Sequence, residues 1–201
     1  MEIGKIQTGT FSVSDIEINS QETSRRLCVP ADFENAVTGK CTELVRNSAQ
    51  PKYCFGITSV DLSEKNTVNL GFAKIQSANL YKNLQGCEYA FVMAVTLGIE
   101  ADRLTSRLGV SSGAQSFIAD GIASALAEAV ADKLSDMLSE RYELKPRFSP
   151  GYGDLPLSAQ REVLDFLSAQ KLIGITLGEN LLMVPKKSIT AIQGIIKNKE
   201  A

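Results

Sequence analysis

The sequence predicts an α+β fold: a single domain over residues 1–201, with a mainly antiparallel twisted sheet packed against long helices. Three observations lead there. Strand-like segments gather towards both ends of the chain instead of alternating with helices, which disfavours βαβ units. The run from Cys87 to Gly98 is continuously apolar and β-rich, as a central buried strand requires. An Ala-rich stretch ending near Leu138 has helical spacing over many turns and supplies a long packing partner.

The elements follow in order. Residues 1–30 read as an N-terminal arm. Residues 1–20 show short alternations, as in Phe11-Ser12-Val13-Ser14 and Ile16-Glu17-Ile18, and read as a marginal strand or an extended arm, with Ser20 to Leu27 a short capped helix. Phe33, Val37, Cys41, Leu44 and Val45 then recur at helical spacing, with Asp32 as N-cap and Pro51 as the stop. Tyr53 to Val60 and Thr67 to Phe72 read as strands around the turn chemistry of Asp61 to Asn66. A short helix is expected from Ala78 to Leu84. Gly98 ends the central strand, and a helix runs from Ile99 to Leu108 with Gly109 as its C-terminal cap.

Ser111 or Ser112 caps the longest helix, whose apolar stripe runs from Phe117 through Ile122, Leu126, Val130 and Leu134 to Leu138. Its opposite ridge carries Asp120, Ser124, Glu128, Asp132 and Asp136 at i, i+4 spacing. Like charges so placed repel by a few tenths of a kcal/mol per pair, about 0.2–0.5. Two accounts are open: a solvated face, or a face that meets a cationic ligand through Glu128. Ser158 caps a further helix ending near Gly174. Ile173 to Leu177 and Asn180 to Pro185 read as short strands, Lys186-Lys187 as a turn, Ser188 to Ile195 as the closing strand, and Lys197 to Ala201 as a loose tail.

Composition narrows the function. Hydrophobic residues make up 44% and charged residues 22%, which is ordinary globular usage. The net charge of -2 argues against nucleic acid as a partner. No apolar run is long enough to cross a membrane, and the N-terminus lacks a signal-peptide core, so the expected location is cytoplasmic. Cys28, Cys41, Cys54 and Cys87 fit no metal-ligand spacing and read as scattered reduced thiols. The chain has no histidine, which removes His-based triads and any histidine ligand to a metal. Neither catalytic nor metal-ligating residues are expected.

The least fold-like stretch is Arg147-Phe148-Ser149-Pro150-Gly151-Tyr152-Gly153-Asp154-Leu155-Pro156. Pro150-Gly151 is a turn signal, and Pro156 has no N–H for a regular ladder, so an irregular loop with exposed backbone amides is expected. Arg147 brings a rigid fork of donors suited to a carboxylate. Tyr152 brings a flat face and a hydroxyl. Together they suit a small ligand with a carboxylate and an aromatic base. Short Gly/Pro loops are common, and local chemistry alone favours a plain helix–helix connector with a solvated Arg and a Tyr packed on the rim.

Arg147-x-x-x-Gly151-Tyr152-x-x-x-Pro156 resembles the signature of the activation domain of cobalamin-dependent methionine synthase. Three further stretches are similar to that family, in order, over residues 87–195: Ala94 to Gly98, Leu126 to Ala131, and Pro185 to Ile192. The resemblance implies the activation-domain fold and a site for S-adenosylmethionine. Arg147 would bind the ligand carboxylate, Pro150 and Gly151 would shape the loop, Tyr152 would pack on the ligand, and Glu128 would offset its positive charge. Leu181 and Leu182 take the places where the family has aromatic residues, so stacking is lost there. The family's N-terminal acidic residue has no counterpart that can be placed. The implied role is an accessory module, standing alone, that supports reductive methylation of cobalamin on a partner methionine synthase core, with a low-potential electron donor. The alternative is a non-catalytic S-adenosylmethionine- or corrinoid-binding regulator of the same fold.

Overall fold

The apolar run centred on Phe91 forms the middle strand of a five-stranded sheet in a computed structural model of the chain, which describes residues 2–18, 23, 24, 27 and 36–199. In chain order the strands are β1 (Ile6–Thr10), β2 (Lys52–Ser59), β3 (Thr67–Asn69), β4 (Lys74–Gln76), β5 (Tyr89–Thr96), β6 (Tyr142–Leu144), β7 (Thr176–Leu177), β8 (Met183–Val184) and β9 (Ser188–Asn198). The helices are α1 (Ala36–Ser48), α2 (Ala78–Asn83), α3 (Ile99–Ser111), α4 (Gly113–Ser139), α5 (Ala159–Phe166) and α6 (Ala169–Ile173). The main sheet runs β1-β2-β5-β9-β6 and is antiparallel throughout. Two small hairpins, β3-β4 and β7-β8, stand apart from it.

Both faces of the sheet are covered, and the alternation of β5 shows how. Phe91, Met93 and Val95 point into the core built with α1, α3 and α4. Ala90, Val92 and Ala94 point into a second core built with α2, α5 and α6. A strand buried on both faces has no polar side to show, hence the unbroken apolar run. Small residues of α4, Ala119, Ala123, Ala127 and Ala131, are almost fully buried and let the helix lie close to its neighbours.

Several sequence expectations are corrected. The alternation at 11–18 makes no strand: β1 lies earlier, Val13–Asp15 is a 3-10 turn, and Ile16 is buried. Arg46 of α1 and Lys133 of α4 hold this segment by donating to the carbonyls of Val13, Ile16 and Asp15. Helix α3 does not stop at Gly109. That glycine packs against Ser116, whose Oγ lies 3.5 Å from where a Cβ would stand, and Ser116 donates to the Thr105 carbonyl. The glycine serves close approach, not a cap. Phe117 faces outwards, 58% exposed, instead of joining the stripe.

The strand read from Thr67 to Phe72 ends at Asn69, whose side chain accepts from the Gly71 N–H. Strands β4 and β6 were not foreseen. Ser158 already has helical dihedrals, so its hydroxyl makes no cap bond. The helix after it breaks at Ser168, which takes φ +49° and starts α6. Ile173 therefore ends a helix instead of starting a strand. Lys197 and Asn198 continue β9, and Lys199 donates its N–H to Arg141 and its ammonium to Ser139, so the tail is docked as far as Lys199. The Asp32 cap, Phe33, Cys28 and most of the expected 20–27 helix lie outside the described residues.

Cys41, Cys54 and Cys87 are buried free thiols. Burial pushes the Cys54 thiol up to about 12, against a weaker opposing hydrogen bond at Ala94. A thiol raised in the folded state stabilises the fold fully below its unfolded value, roughly 8.5, and that contribution is lost as pH climbs towards 12. The wild-type chain should therefore lose stability relative to Cys54→Ala across this alkaline window. Urea melts at pH 7.5 and pH 10.5 read the difference between the two proteins, and a difference independent of pH counts against it.

Candidate small-ligand site

Between α4, the 147–156 loop and the start of β9 lies a cavity of about 440 Å³. Glu128 lines it from α4; Arg147, Phe148, Ser149, Pro150 and Tyr152 from the loop; Ser188, Ile189 and Thr190 from β9; Gln160 from α5; and Met183 from β8. Its size falls in the range of small-molecule clefts, about 300–1,000 Å³.

The loop's shape follows from its sequence. Gly151 takes φ +88° and Gly153 φ +54°, a region that only glycine enters at little cost. The amides of Gly151, Tyr152 and Leu155 donate to the carbonyls of Leu155, Ser149 and Tyr152 respectively. This corrects the expectation of exposed amides for these three, which are paired within the loop. Phe148 joins the sheet by a two-way bridge to Ile192.

Helix α2 then clamps the loop from outside. Asp154 accepts from the Ser77 hydroxyl and from the N–H groups of Ala78 and Asn79, at 2.7 and 3.1 Å for the two amides. A carboxylate at a helix N-terminus meets unsatisfied donors and the positive end of the helix dipole. At the other end of α2, Asn83 donates to the Pro146 carbonyl at 3.2 Å. The two ends of a single helix thus fix the 147–156 loop near its two ends.

The acidic ridge of α4 faces this loop and the turn before β9. Arg147 Nη2 stands 2.8 Å from Asp132 Oδ1 and 3.5 Å from Glu128 Oε2. Lys187 Nζ stands 2.7 Å from Asp120 Oδ1 and donates to Ser124 Oγ at 2.9 Å. Of the charges left open in sequence as solvated or ligand-facing, Asp120, Glu128 and Asp132 are met by the chain's own cations. Arg147 keeps one group unused: its Nη1 is buried without a hydrogen-bond partner.

Of the expected site residues, Arg147, Pro150, Tyr152 and Glu128 come together in the cavity. Gly151 shapes the turn behind them, against Leu157. Leu181 and Leu182 do not line the cavity. Leu182 is 58% exposed, and Leu181 contributes only its carbonyl, which accepts from Gln160 Nε2 at 3.1 Å. Met183, one residue on, lines the wall instead. Sequence reasoning missed Gln160, Ser188 and Thr190, which form a buried polar floor in which the Thr190 hydroxyl faces Gln160 Oε1 at 3.4 Å. It also missed Asp154, although Asp-Leu-Pro after a glycine turn was visible.

The Ser77 hydrogen bond, helped by the Asn79 and Ala78 amides and opposed by burial, holds the Asp154 carboxyl below the usual carboxylate range. A carboxylate lowered in this way supports the folded loop above its unfolded value, roughly pH 3.9, and that support is lost as pH falls through the lowered value. At neutral pH, Asp154→Ala should release the loop. Amide hydrogen exchange over residues 149–155 should speed up in the variant while exchange in β5 and β9 stays unchanged. Unaltered protection of the loop would mean that Asp154 does not hold it.

No protein-family model matches the sequence, and no curated protein matches it. Among solved structures, the chain is similar to the crystal structure of the MetH reactivation domain bound to AdoHcy. The TM-score is 0.67 at 15% sequence identity, covering 94% of this chain and 78% of that one. The likeness is one of fold: the mainly antiparallel sheet with its long helices is the architecture of the MetH reactivation domain.

Proposed function

We propose that the chain binds S-adenosylmethionine in the cavity between α4, the Arg147 loop and β9, and presents it to a cobalamin held by a partner methionine synthase core. The observation behind this reading is that Arg147 and Glu128 both line the cavity while Arg147 Nη1 is buried without a hydrogen-bond partner. A buried donor left unsatisfied costs roughly 1–3 kcal/mol, and a ligand carboxylate would relieve that cost. The donor set fits the ligand's chemistry. Arg147 takes the carboxylate, and Glu128 takes the ammonium or sulfonium. Tyr152, Phe148 and Met183 offer ring and thioether surface to the adenine. The floor of Gln160, Ser188 and Thr190 offers hydrogen bonds to ribose or base. The similarity to a reactivation domain whose crystal structure contains AdoHcy supports the same assignment.

The bound ligand supplies an activated methyl group, and this chain's own residues bind and orient it. These 201 residues include no histidine to ligate cobalt, so in this reading the cobalamin sits outside them. Tyr152 lines the cavity and is 67% exposed, which leaves apolar surface at the cavity mouth for a reversible contact. Among the described residues no helix is long and apolar enough to cross a membrane, and no cluster of metal-ligating side chains forms. A second reading, a binding or regulatory protein without methyl donation, is favoured by Leu181 and Leu182 standing outside the cavity.

Arg147→Ala should weaken S-adenosylmethionine binding by about 1.5–3 kcal/mol, as for a lost charge-assisted hydrogen bond, in a calorimetric titration. Unchanged affinity with an intact fold would remove the assignment. Mixed with a cobalamin-loaded methionine synthase core and a low-potential reductant, the wild-type chain should restore methylcobalamin absorbance only when S-adenosylmethionine is present. Binding without recovery would favour the regulatory reading.

A further inference from the structure

We infer that Asp132, which does not touch the cavity, is a positioning residue that sets the cavity's preference for a ligand carboxylate by aiming Arg147. The inference rests on the ligand reading above and deepens it. Asp132 is 67% exposed at its side chain and is absent from the cavity wall. Its Oδ1 nevertheless makes the shorter of the two contacts to Arg147 Nη2, 2.8 Å against 3.5 Å from Glu128. A guanidinium is planar and rigid, so holding one terminal nitrogen fixes the direction of the other. With Nη2 turned towards α4, Nη1 is left buried and without a partner in a side chain that lines the cavity.

The two terminal nitrogens therefore divide the work. One is tied to the helix, and the other is kept for the ligand. Asp132 and Glu128 sit one helical turn apart, so both carboxylates can reach the same nitrogen while only Glu128 also reaches the cavity. Asp132 acts on Arg147, and Glu128 acts on both Arg147 and the ligand.

Asp132 is a negative charge close to a site for an anionic group. Simple electrostatics says that Asp132→Asn should tighten carboxylate binding. Positioning says the opposite.

Equilibrium titrations of wild type, Asp132→Asn and Asp132→Glu, each with S-adenosylmethionine and with methylthioadenosine, separate the two. Methylthioadenosine lacks the amino-acid portion and cannot use Arg147 Nη1. Asp132→Asn should weaken S-adenosylmethionine about two- to fivefold, the scale of one exposed ion pair, and leave methylthioadenosine unchanged. Asp132→Glu, which keeps the charge, should recover most of the loss. Equal or tighter S-adenosylmethionine binding by Asp132→Asn overturns the inference while leaving the ligand reading in place. An equal loss for both ligands also overturns it, since that marks general damage to the site. Failure of the wild type to bind S-adenosylmethionine overturns the ligand reading and this inference together.

Discussion

Four acidic side chains and one serine at i, i+4 spacing along α4 repel one another unless cations answer them. The cations come from the two segments that wall the cavity. Arg147 reaches Glu128 and Asp132 from the loop, and Lys187 reaches Asp120 from the turn before β9. Lys187 is only 11% exposed and Arg147 18%, so both pairs work with less screening than ordinary surface bridges. The ridge thus fixes the spacing of loop, helix and closing strand at once. Of these residues, Arg147 and Glu128 line the cavity itself.

The rest of the fold gives this arrangement something rigid to stand on. The sheet is covered on both faces, so β5 and β9 lie side by side under the cavity with Ala191 and Ile192 fully buried. Phe148 is pinned to Ile192, which carries the loop's register over from β9. Helix α2 adds the clamp at Asp154 and Asn83 from the other side. Binding side chains on a loop are placed well only when the scaffold fixes their backbone, and here it is fixed from three directions.

Much of this was legible in sequence because it is periodic or chemically marked. The β5 run, the α4 stripe, the glycine turn at 150–151 and the Arg–Gly–Tyr spacing all leave local signals, and four of the expected site residues line one cavity. What was not legible depends on contacts between distant segments. Asp154 meets Ser77, and Thr190 meets Gln160, across separations that no local pattern records. Gly109 misled for a related reason, since a glycine used for close packing against Ser116 looks like a helix cap from sequence alone. Leu181 and Leu182 were placed by resemblance, but Leu181 takes φ +61° and turns the hairpin so that Met183 meets the cavity in their stead.

We propose that Arg147 binds the carboxylate of an adenosyl amino acid. A crystal structure of the chain with S-adenosylmethionine tests this most directly. The ligand should lie between α4 and β9, with its carboxylate within hydrogen-bond distance of Arg147 Nη1 and the Nη2 contact to Asp132 retained. A ligand bound elsewhere, or one whose carboxylate is held by another group while Arg147 Nη1 stays unpartnered, would contradict it.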